Sequence, residues 1–313
     1  MTALPPTRIR RRRSRLRLPA LVAVLTAGAL ALAGCAGNPA AVQTLKASSN
    51  SSLNVQSGLE YWTDGTNHLL LDACLPAGHF GKRASVILLH SGGLKPGLRN
   101  DPTQRALCTS IAKWGIAAFS IDYRPSGAYP YPAQVTDLDN AITWLRKSKQ
   151  VRKFGLDPKR FALLGSTVGG NIALEGGMQG SGAQDSGTRV KAVISISGMA
   201  VLNSQAETLG KNTGTAVELA KSYLGCTTLA AAGCRTAQAA SATTAVDRTD
   251  PPTLLINGSD EITPVQQAQA MQRALQTAKV PVQLIVVPGA LHGLALLTPP
   301  VRRNLHQFLT KYL

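Results

Sequence analysis

The sequence contains few aromatic residues and few acidic ones. Aromatic residues make up 4% of its 313 positions, which argues against a sugar or steroid pocket lined with aromatic rings. Its 16 acidic residues are outnumbered by 33 basic ones, and the formal net charge is +17. Because the basic residues do not alternate with aromatic ones, the pattern argues against a nucleic-acid partner as well.

Metal-ligand patterns and long apolar runs are missing too. The sequence has no C-x-x-C pair and no cluster of cysteine and histidine at ligand spacing. It therefore predicts no metal site and no cofactor. The apolar run over residues 18–32 has 15 residues, which is short for a membrane span and typical of the central part of a signal peptide.

Residues 1–34 are predicted to be a signal peptide. Seven arginines and no acidic residue precede the apolar run, which ends in the segment LAGC at residues 32–35. This ending resembles a bacterial lipobox, in which the cysteine receives the lipid. Cys35 would then anchor the protein to a membrane of the cell envelope, outside the cytoplasm. The alternative is an ordinary secretory signal followed by a cysteine at this position by chance.

The leader also accounts for much of the charge. Without its seven arginines, 26 basic and 16 acidic residues remain, a net charge of +10. These basic residues are dispersed along the sequence, and the densest group lies within residues 146–153. That group is interpreted as the exposed end of a helix, where cations are favourable.

Four cysteines remain once Cys35 is assigned to the lipid. Outside the cytoplasm they predict two disulfides, for which three connectivities are possible. Cys226 and Cys234 close a short loop and are paired on that ground. This choice leaves Cys74 to pair with Cys108.

The remaining chain is predicted to be a tether followed by one domain. Residues 35–56 are small and polar, as in a flexible linker. From residue 57 to residue 313, apolar runs alternate with helical patterns, which predicts a doubly wound α/β domain with a mostly parallel sheet. Strands are predicted at 68–74, 84–89, 117–121, 161–164, 192–197, 253–256 and 282–287, and helices at 104–114, 131–148, 169–177, 264–278 and 300–312.

Residues 198–252 interrupt this alternation. They are rich in alanine, threonine and glycine and include the Cys226–Cys234 pair. One interpretation is a partly helical cap over the carboxyl edge of the sheet, where ligands of open α/β sheets bind. The other is a surface insertion that only packs against the domain.

The segment FALLGSTVGGNIA at residues 161–173 predicts a strand, a tight turn and a helix. This is the context of the nucleophile elbow G-x-S-x-G, which occurs here as residues 165–169 with Thr167 in the place of serine. The backbone N–H of Val168 is predicted to help bind an oxyanion. A second set of donors is expected from Gly92 and Gly93, in a His-Ser-Gly-Gly loop that follows an early strand.

A general base and its acid are predicted after the later strands. Asp260 follows the strand at 253–256, with the adjacent Glu261 as the second choice. His292 lies in a glycine-containing loop after the last strand and would be the base. A hydroxyl, an acid and a histidine in this chain order are what acyl transfer requires in this kind of fold.

These segments together resemble the α/β-hydrolase superfamily, close to small esterases of the feruloyl-esterase-like and carbohydrate-acetylesterase type. The resemblance covers residues 58–313 and includes DYR at 122–124, YPA at 131–133, LDP at 156–158 and PPTLL at 251–255. It implies a metal-independent hydrolase of small carboxylic esters that forms a covalent acyl-enzyme. It also implies structural roles for Asp122 and Arg124.

Two residues depart from the family pattern. Ser91 replaces a glycine of the oxyanion loop, and Thr167 replaces the nucleophilic serine. A β-branched residue at positive φ is strained by about 1–3 kcal/mol, and its methyl group crowds the path of attack. Ser166 is expected to point to the opposite side of the strand. The alternative functions are therefore an impaired hydrolase that binds a ligand or partner in the envelope, and a lipid-anchored transferase on the same scaffold.

Overall fold

The computed structural model describes residues 53–78, 81–92, 99–211 and 214–313. The predicted signal peptide, the lipid site at Cys35, the first part of the predicted tether and Gly93 lie outside these residues. From Asn50 to Leu313 the chain forms one compact unit that contains both hydrophobic cores described below. The buried residues of both cores, in the part of the chain that the structure describes, all lie between Tyr61 and Leu309.

Eight strands form a single, mostly parallel sheet in the order β1-β2-β4-β3-β5-β6-β7-β8. β1 and β2 pair antiparallel, as do β2 and β4, and the other neighbours are parallel. The doubly wound α/β fold predicted from the sequence is confirmed. The strands are β1 (Asn54–Thr63), β2 (His68–Leu75), β3 (Arg83–Leu89), β4 (Ala117–Ile121), β5 (Leu156–Ser166), β6 (Ala192–Ile196), β7 (Thr253–Gly258) and β8 (Val282–Val287).

Helices cover both faces of this sheet. The larger core includes side chains from α2, α4, α5 and α6, and the smaller core includes side chains from α1 and α7. Because the central strands are buried on both faces, they are almost continuously apolar. The helices are α1 (Pro102–Lys113), α2 (Ala133–Arg146), α3 (Ser148–Phe154), α4 (Val168–Met178), α5 (Gly214–Leu224), α6 (Val265–Thr277) and α7 (Pro299–Tyr312).

Several boundaries differ from the predictions, among them the start of β5, which is Leu156 and not residue 161. β1 begins at Asn54, so residues 54–56 belong to the sheet and not to the tether. This strand lies at the edge and is largely exposed, and its polar residues gave no apolar signal. The predicted helix at 131–148 corresponds to α2, which ends at Arg146, and α3, which begins at Ser148, was not predicted. The basic group at 146–153 therefore spans a helix junction and α3 instead of one helix end.

Both disulfides expected from the sequence are present. Cys74–Cys108 joins β2 to α1, with Cα atoms 5.8 Å apart. Cys226–Cys234 closes a loop directly after α5, with Cα atoms 5.6 Å apart.

The segment 198–252 contains α5 and is attached to the elbow helix α4 by Tyr223. The Tyr223 hydroxyl donates to Glu175 Oε2 at 2.5 Å, and the Tyr223 carbonyl accepts from the Tyr131 N–H at 3.0 Å. Gln267 of α6 adds side-chain bonds to the backbone of Ala200 and Val201. The segment therefore packs firmly on the domain, and its shaping of a substrate pocket stays a prediction.

Glu175 is an acid buried inside this contact. Burial raises the pKa of its carboxyl group well above the ordinary value, and the bond from Tyr223 only partly opposes this effect. Its Oε1 has no partner among the described residues. The folded state therefore holds the Glu175 proton more tightly than the unfolded state does. This contribution to the free energy of unfolding is complete below pH 4.5 and is lost as the pH rises through the pKa of the folded state.

We therefore expect Glu175→Gln, which cannot ionise, to raise the melting temperature at pH 8 by at least about 2 °C. The gain should shrink at pH 5, where the native carboxyl group already holds its proton. Thermal unfolding at both pH values measures the difference. Glu218→Gln, at a carboxylate of α5 that is 71% exposed, is the matched control and should change neither value. An equal gain at both pH values would contradict the assigned protonation.

Candidate active site

Thr167 lies at the tight turn between β5 and α4. Its backbone has φ 56° and ψ −115°, a conformation that favours glycine. The turn is fixed on both sides, because the Thr167 N–H donates to the Ile196 carbonyl at 2.8 Å and its carbonyl accepts from the Asn171 N–H at 3.1 Å. The strained threonine expected from the sequence is therefore present, and the hydrogen bonds of its neighbours maintain it.

Two glycines make this turn possible. A Cβ atom on Gly165 would lie 1.8 Å from the Gly169 carbonyl oxygen. A Cβ atom on Gly169 would lie 2.2 Å from the Leu89 carbonyl oxygen and 2.5 Å from that of His90. A side chain on Gly165 would push the start of α4 away from β5, and one on Gly169 would push it away from the end of β3 and from His90.

A chain of hydrogen bonds starts at the Thr167 hydroxyl. Its Oγ1 lies 2.9 Å from Nε2 of His292, and Nδ1 of His292 contacts Oε2 of Glu261. The Glu261 carboxylate is fully buried, whereas the His292 side chain is 26% exposed. The geometry joins a hydroxyl, an imidazole and a carboxylate in the order that hydroxyl activation requires.

The acid that contacts His292 is Glu261, and the choice of Asp260 was wrong in this respect. β7 ends at Gly258, and the chain then turns so that Ser259 and Asp260 are exposed while Glu261 is buried. The Asp260 carboxylate accepts from its neighbour Ser259 Oγ at 2.7 Å instead. The two acids are adjacent, so only the shape of this turn distinguishes them.

The second oxygen of Glu261 fixes the carboxylate in place. Oε1 accepts from the Gly258 N–H at 2.6 Å and from Asn257 Nδ2 at 3.0 Å. These two bonds leave Oε2 free to face the imidazole. Hydrogen bonds from the ring and the backbone thus satisfy both oxygens of a buried acid.

Ser197 connects the turn after β7, which carries Glu261, to the loop after β8, which carries His292. Its role was not predicted from the sequence. It has φ 54° directly after β6, next to the elbow. Its Oγ accepts from the Gly293 N–H at 2.9 Å, and its carbonyl accepts from Thr263 Oγ1 at 3.0 Å. A serine followed by glycine at the end of a strand beside the elbow was the available signal.

Of the three predicted oxyanion donors, the structure describes Val168 and Gly92, and their role in binding an oxyanion stays a prediction. Val168 is the first residue of α4, so its N–H has no acceptor within the helix. Gly92 has φ 77° at the start of the loop after β3. Gly93 lies outside the described residues and stays a prediction.

His90 holds the start of that loop in place. Its ring stacks on Tyr123 with centroids 4.2 Å apart, and Nδ1 donates to the Ser91 carbonyl at 2.9 Å. The Tyr123 hydroxyl donates to the His90 carbonyl at 2.7 Å. Burial lowers the pKa of His90 to about 4, so the ring is neutral at physiological pH. These contacts give His90 a structural role.

Ser166 lies closer to the site than the strand pattern predicts. A Cβ atom on Gly293 would lie 3.0 Å from Ser166 Oγ and 3.5 Å from Thr167 Oγ1, so both hydroxyls border this glycine. Ser166 is nevertheless fully buried, and its Oγ has no partner among the described residues. Of the two hydroxyls, only that of Thr167 contacts His292.

Searches for two other kinds of feature cover the described residues only. They contain no group of three or more His, Cys, Asp or Glu residues arranged to hold a metal ion. In the same part of the chain, no helix has both the length and the hydropathy needed to cross a membrane.

Comparison with known proteins points to esterases. The family model BD-FAE matches residues 71–275. Esterase LipC of Mycobacterium tuberculosis (strain ATCC 25618 / H37Rv) is 29% identical over 201 residues, which are 61% of this chain and 48% of LipC. Carboxylesterase NlhH of Mycobacterium tuberculosis is 34% identical over 90 residues, 28% of this chain and 27% of NlhH. The chain therefore spans about half the length of LipC and about a quarter of the length of NlhH.

Solved structures show the same fold. A truncated carbohydrate esterase from gut microbiota has a TM-score of 0.69 at 20% identity, covering 84% of this chain and 98% of that one. The esterase Est2 of Thermogutta terrifontis has a TM-score of 0.65 at 20% identity, covering 83% of this chain and 92% of its own.

The strain at Thr167 predicts a change in stability. Glycine adopts this backbone conformation freely but loses more entropy on folding, so we expect Thr167→Gly to raise the free energy of unfolding by about 1 kcal/mol. Thr167→Ala removes the hydroxyl and keeps the Cβ atom, so it controls for the lost bond to His292. Denaturant unfolding compares the three proteins. A glycine variant no more stable than the alanine variant would contradict the strain.

Proposed function

Because the chain belongs to the BD-FAE family, we propose that it hydrolyses carboxylic esters, with Thr167 as nucleophile, His292 as general base and Glu261 as the acid that orients it. The observation that supports this proposal best is the unbroken contact from Thr167 Oγ1 through His292 to Glu261. A protein that only binds a ligand has no need of this arrangement.

In the first half of the reaction, Thr167 Oγ1 attacks the carbonyl carbon of the ester. His292 Nε2, 2.9 Å away, takes the hydroxyl proton as the new carbon–oxygen bond forms. The negative charge that develops on the carbonyl oxygen is bound by the backbone N–H groups of Val168 and Gly92. His292 then gives its proton to the leaving alcohol, and an acyl group remains on Thr167.

In the second half, a water molecule replaces the alcohol. His292 takes a proton from the water, whose oxygen attacks the acyl carbon, and the bond to Thr167 Oγ1 breaks with return of the proton to the threonine. Throughout the reaction, Glu261 accepts a hydrogen bond from the Nδ1–H of His292 and does not take the proton. This bond fixes the tautomer in which Nε2 is free to act as a base. The imidazolium that forms transiently lies beside a buried anion.

Glutamate performs this role because of where β7 ends. The turn after Gly258 buries residue 261 instead of residue 260. The side chain of Glu261, longer than that of an aspartate, reaches His292 from there. Backbone and amide donors hold its outer oxygen, which limits the extra freedom of that longer side chain.

The threonine is expected to lower the rate without changing the mechanism. Its methyl group restricts χ1 and occupies space on the path to the carbonyl carbon. A displacement of about 1 Å from the reactive geometry can cost on the order of 100-fold in rate. These same features support the second candidate, an envelope protein that keeps the fold and binds a ligand without turning it over.

We propose a small-molecule ester as substrate. Ile262 and Leu291, the neighbours of the acid and the base, are 42% and 43% exposed and offer apolar surface beside the site. The two disulfides support an oxidising compartment, and with the lipobox-like segment they support attachment to the bacterial cell envelope through Cys35.

Substitution of Thr167 tests the nucleophile. We expect Thr167→Ser to raise kcat/KM for p-nitrophenyl acetate on the order of 10- to 100-fold, because the serine lacks the crowding methyl group. Thr167→Ala should lower the rate to the background of the uncatalysed reaction. If the native protein and the alanine variant have equal rates, Thr167 is not the nucleophile, and ligand binding becomes the better proposal.

Substitution of the two adjacent acids tests the acid. Glu261→Gln keeps the shape of the side chain but removes the charge that orients His292, and kcat should fall on the order of 10³- to 10⁴-fold. Asp260→Asn is the matched control at the exposed neighbour, and its kcat should stay within about twofold of native. Steady-state kinetics on folded variants decide between them, and the reverse pattern would restore Asp260 as the acid.

A further inference from the structure

The edge of the sheet opposite the active site gathers positive charge. β3 to β8 run parallel, so their first residues lie along one edge, and the elbow, acid and histidine lie beyond the other. Arg83, the first residue of β3, is paired in register with Leu156, the first residue of β5. The loops and the short helix that lead into these strands therefore share one surface.

Six basic side chains occupy this surface, which we call the basic edge. They come from the start of β3 and from the α2–α3 junction and α3, so positions dispersed in the sequence meet in the fold. All but Arg83 are exposed. The six residues are Lys82, Arg83, Lys147, Lys149, Arg152 and Lys153.

No acid of the described residues forms an ion pair with any of the six. The two neighbouring carboxylates that could do so have other partners, since Asp157 pairs with Arg160 and Asp185 with Lys191. By contrast, Asp260 and Glu261 lie just beyond the carboxyl end of β7, and Asp122, which pairs with Arg99, lies just beyond that of β4. The domain thus has a positive edge and an edge that carries acids, on opposite sides of the sheet.

A cleft of about 340 Å³ opens at the basic edge. Arg83, Arg152 and Lys153 line it together with Asn54 and Gln56 from the start of β1. β1, the first strand of the sheet, therefore begins at this same surface. If Cys35 carries a lipid, residues 36–53 connect this anchor to the strand that begins at the basic edge.

We propose that the basic edge docks the domain on a bilayer that contains anionic phospholipids, with lipid phosphates in the cleft beside Arg83, Arg152 and Lys153. Clustered lysine and arginine side chains are attracted to such bilayers. Docking in this orientation places the active site on the side away from the membrane. The inference is independent of ester hydrolysis, because it uses none of the residues of the proposed catalytic chain.

Vesicle binding tests this proposal with protein that begins at residue 36, which removes the arginines of the leader. We expect cosedimentation with vesicles of phosphatidylcholine containing 30% phosphatidylglycerol, weakening as NaCl is added, and none with phosphatidylcholine alone. The variant Lys149→Gln, Arg152→Gln and Lys153→Gln should bind about 100-fold more weakly, at about fivefold for each charge lost.

The matched control removes the same number of charges elsewhere, with Lys211→Gln, Lys221→Gln and Arg235→Gln in the segment 198–252. This variant should bind the vesicles as the native protein does, within about threefold. Equal losses in the two triple variants would overturn the proposal, because binding would then follow net charge alone. Absence of native binding would overturn it as well, provided circular dichroism shows folded protein.

Two further measurements locate the contact. Millimolar inorganic phosphate should not displace the vesicles, and displacement would mean that the cleft is a site for free anions and not for a bilayer. Hydrolysis of a soluble ester should be unchanged when native protein is saturated with vesicles. Suppressed hydrolysis would place the active-site edge on the membrane and overturn the orientation.

Discussion

The close approach of β3 and the elbow is the constraint on which the site depends. Gly169 lies against the carbonyl groups of Leu89 and His90, and no larger residue fits there. This contact fixes the start of α4 against the end of β3 and the first residue of the loop that follows it. It also forces Thr167 into a backbone conformation that costs stability. The protein retains the strain because the surrounding hydrogen bonds leave the residue no alternative.

The remaining parts of the site are positioned from this turn outward. Ser197 receives the N–H of Gly293 and so sets the loop that places His292, and Asn257 and Gly258 hold the outer oxygen of Glu261. The first connection joins the loop after β8 to the end of β6, and the other two lie within the turn after β7. The site is therefore built by the backbone of the sheet edge, and the side chains complete it.

Much of this arrangement could be predicted because parallel strands end at one edge. Thr167 and His292 each follow a parallel strand, so their positions relative to the predicted strands were sufficient to place them at the same edge of the sheet. The choice between Asp260 and Glu261 could not be made this way, because the two acids are neighbours and a turn of three residues decides which one is buried. β1 was missed for another reason, since an exposed edge strand needs no apolar pattern.

The basic edge, too, could not be predicted from the sequence alone. The basic residues look dispersed in the sequence because they lie in separate segments around β3 and between β4 and β5. Four of the six lie within residues 147–153, and the parallel topology places Lys82 and Arg83 at the same edge, opposite to the active site. The disulfides were simpler, since a short loop identified one pair and left the other.

The most direct test of the proposed chemistry is covalent labelling with paraoxon, a phosphate ester whose phosphorus is attacked by activated hydroxyl groups. The Thr167 oxygen would displace p-nitrophenolate from phosphorus and retain the diethyl phosphoryl group, while His292 takes the hydroxyl proton. Mass spectrometry of peptides should find the group on Thr167 in the native protein and nowhere in Thr167→Ala. A native protein that hydrolyses esters but carries the group on Ser166, or carries none, would contradict a threonine nucleophile.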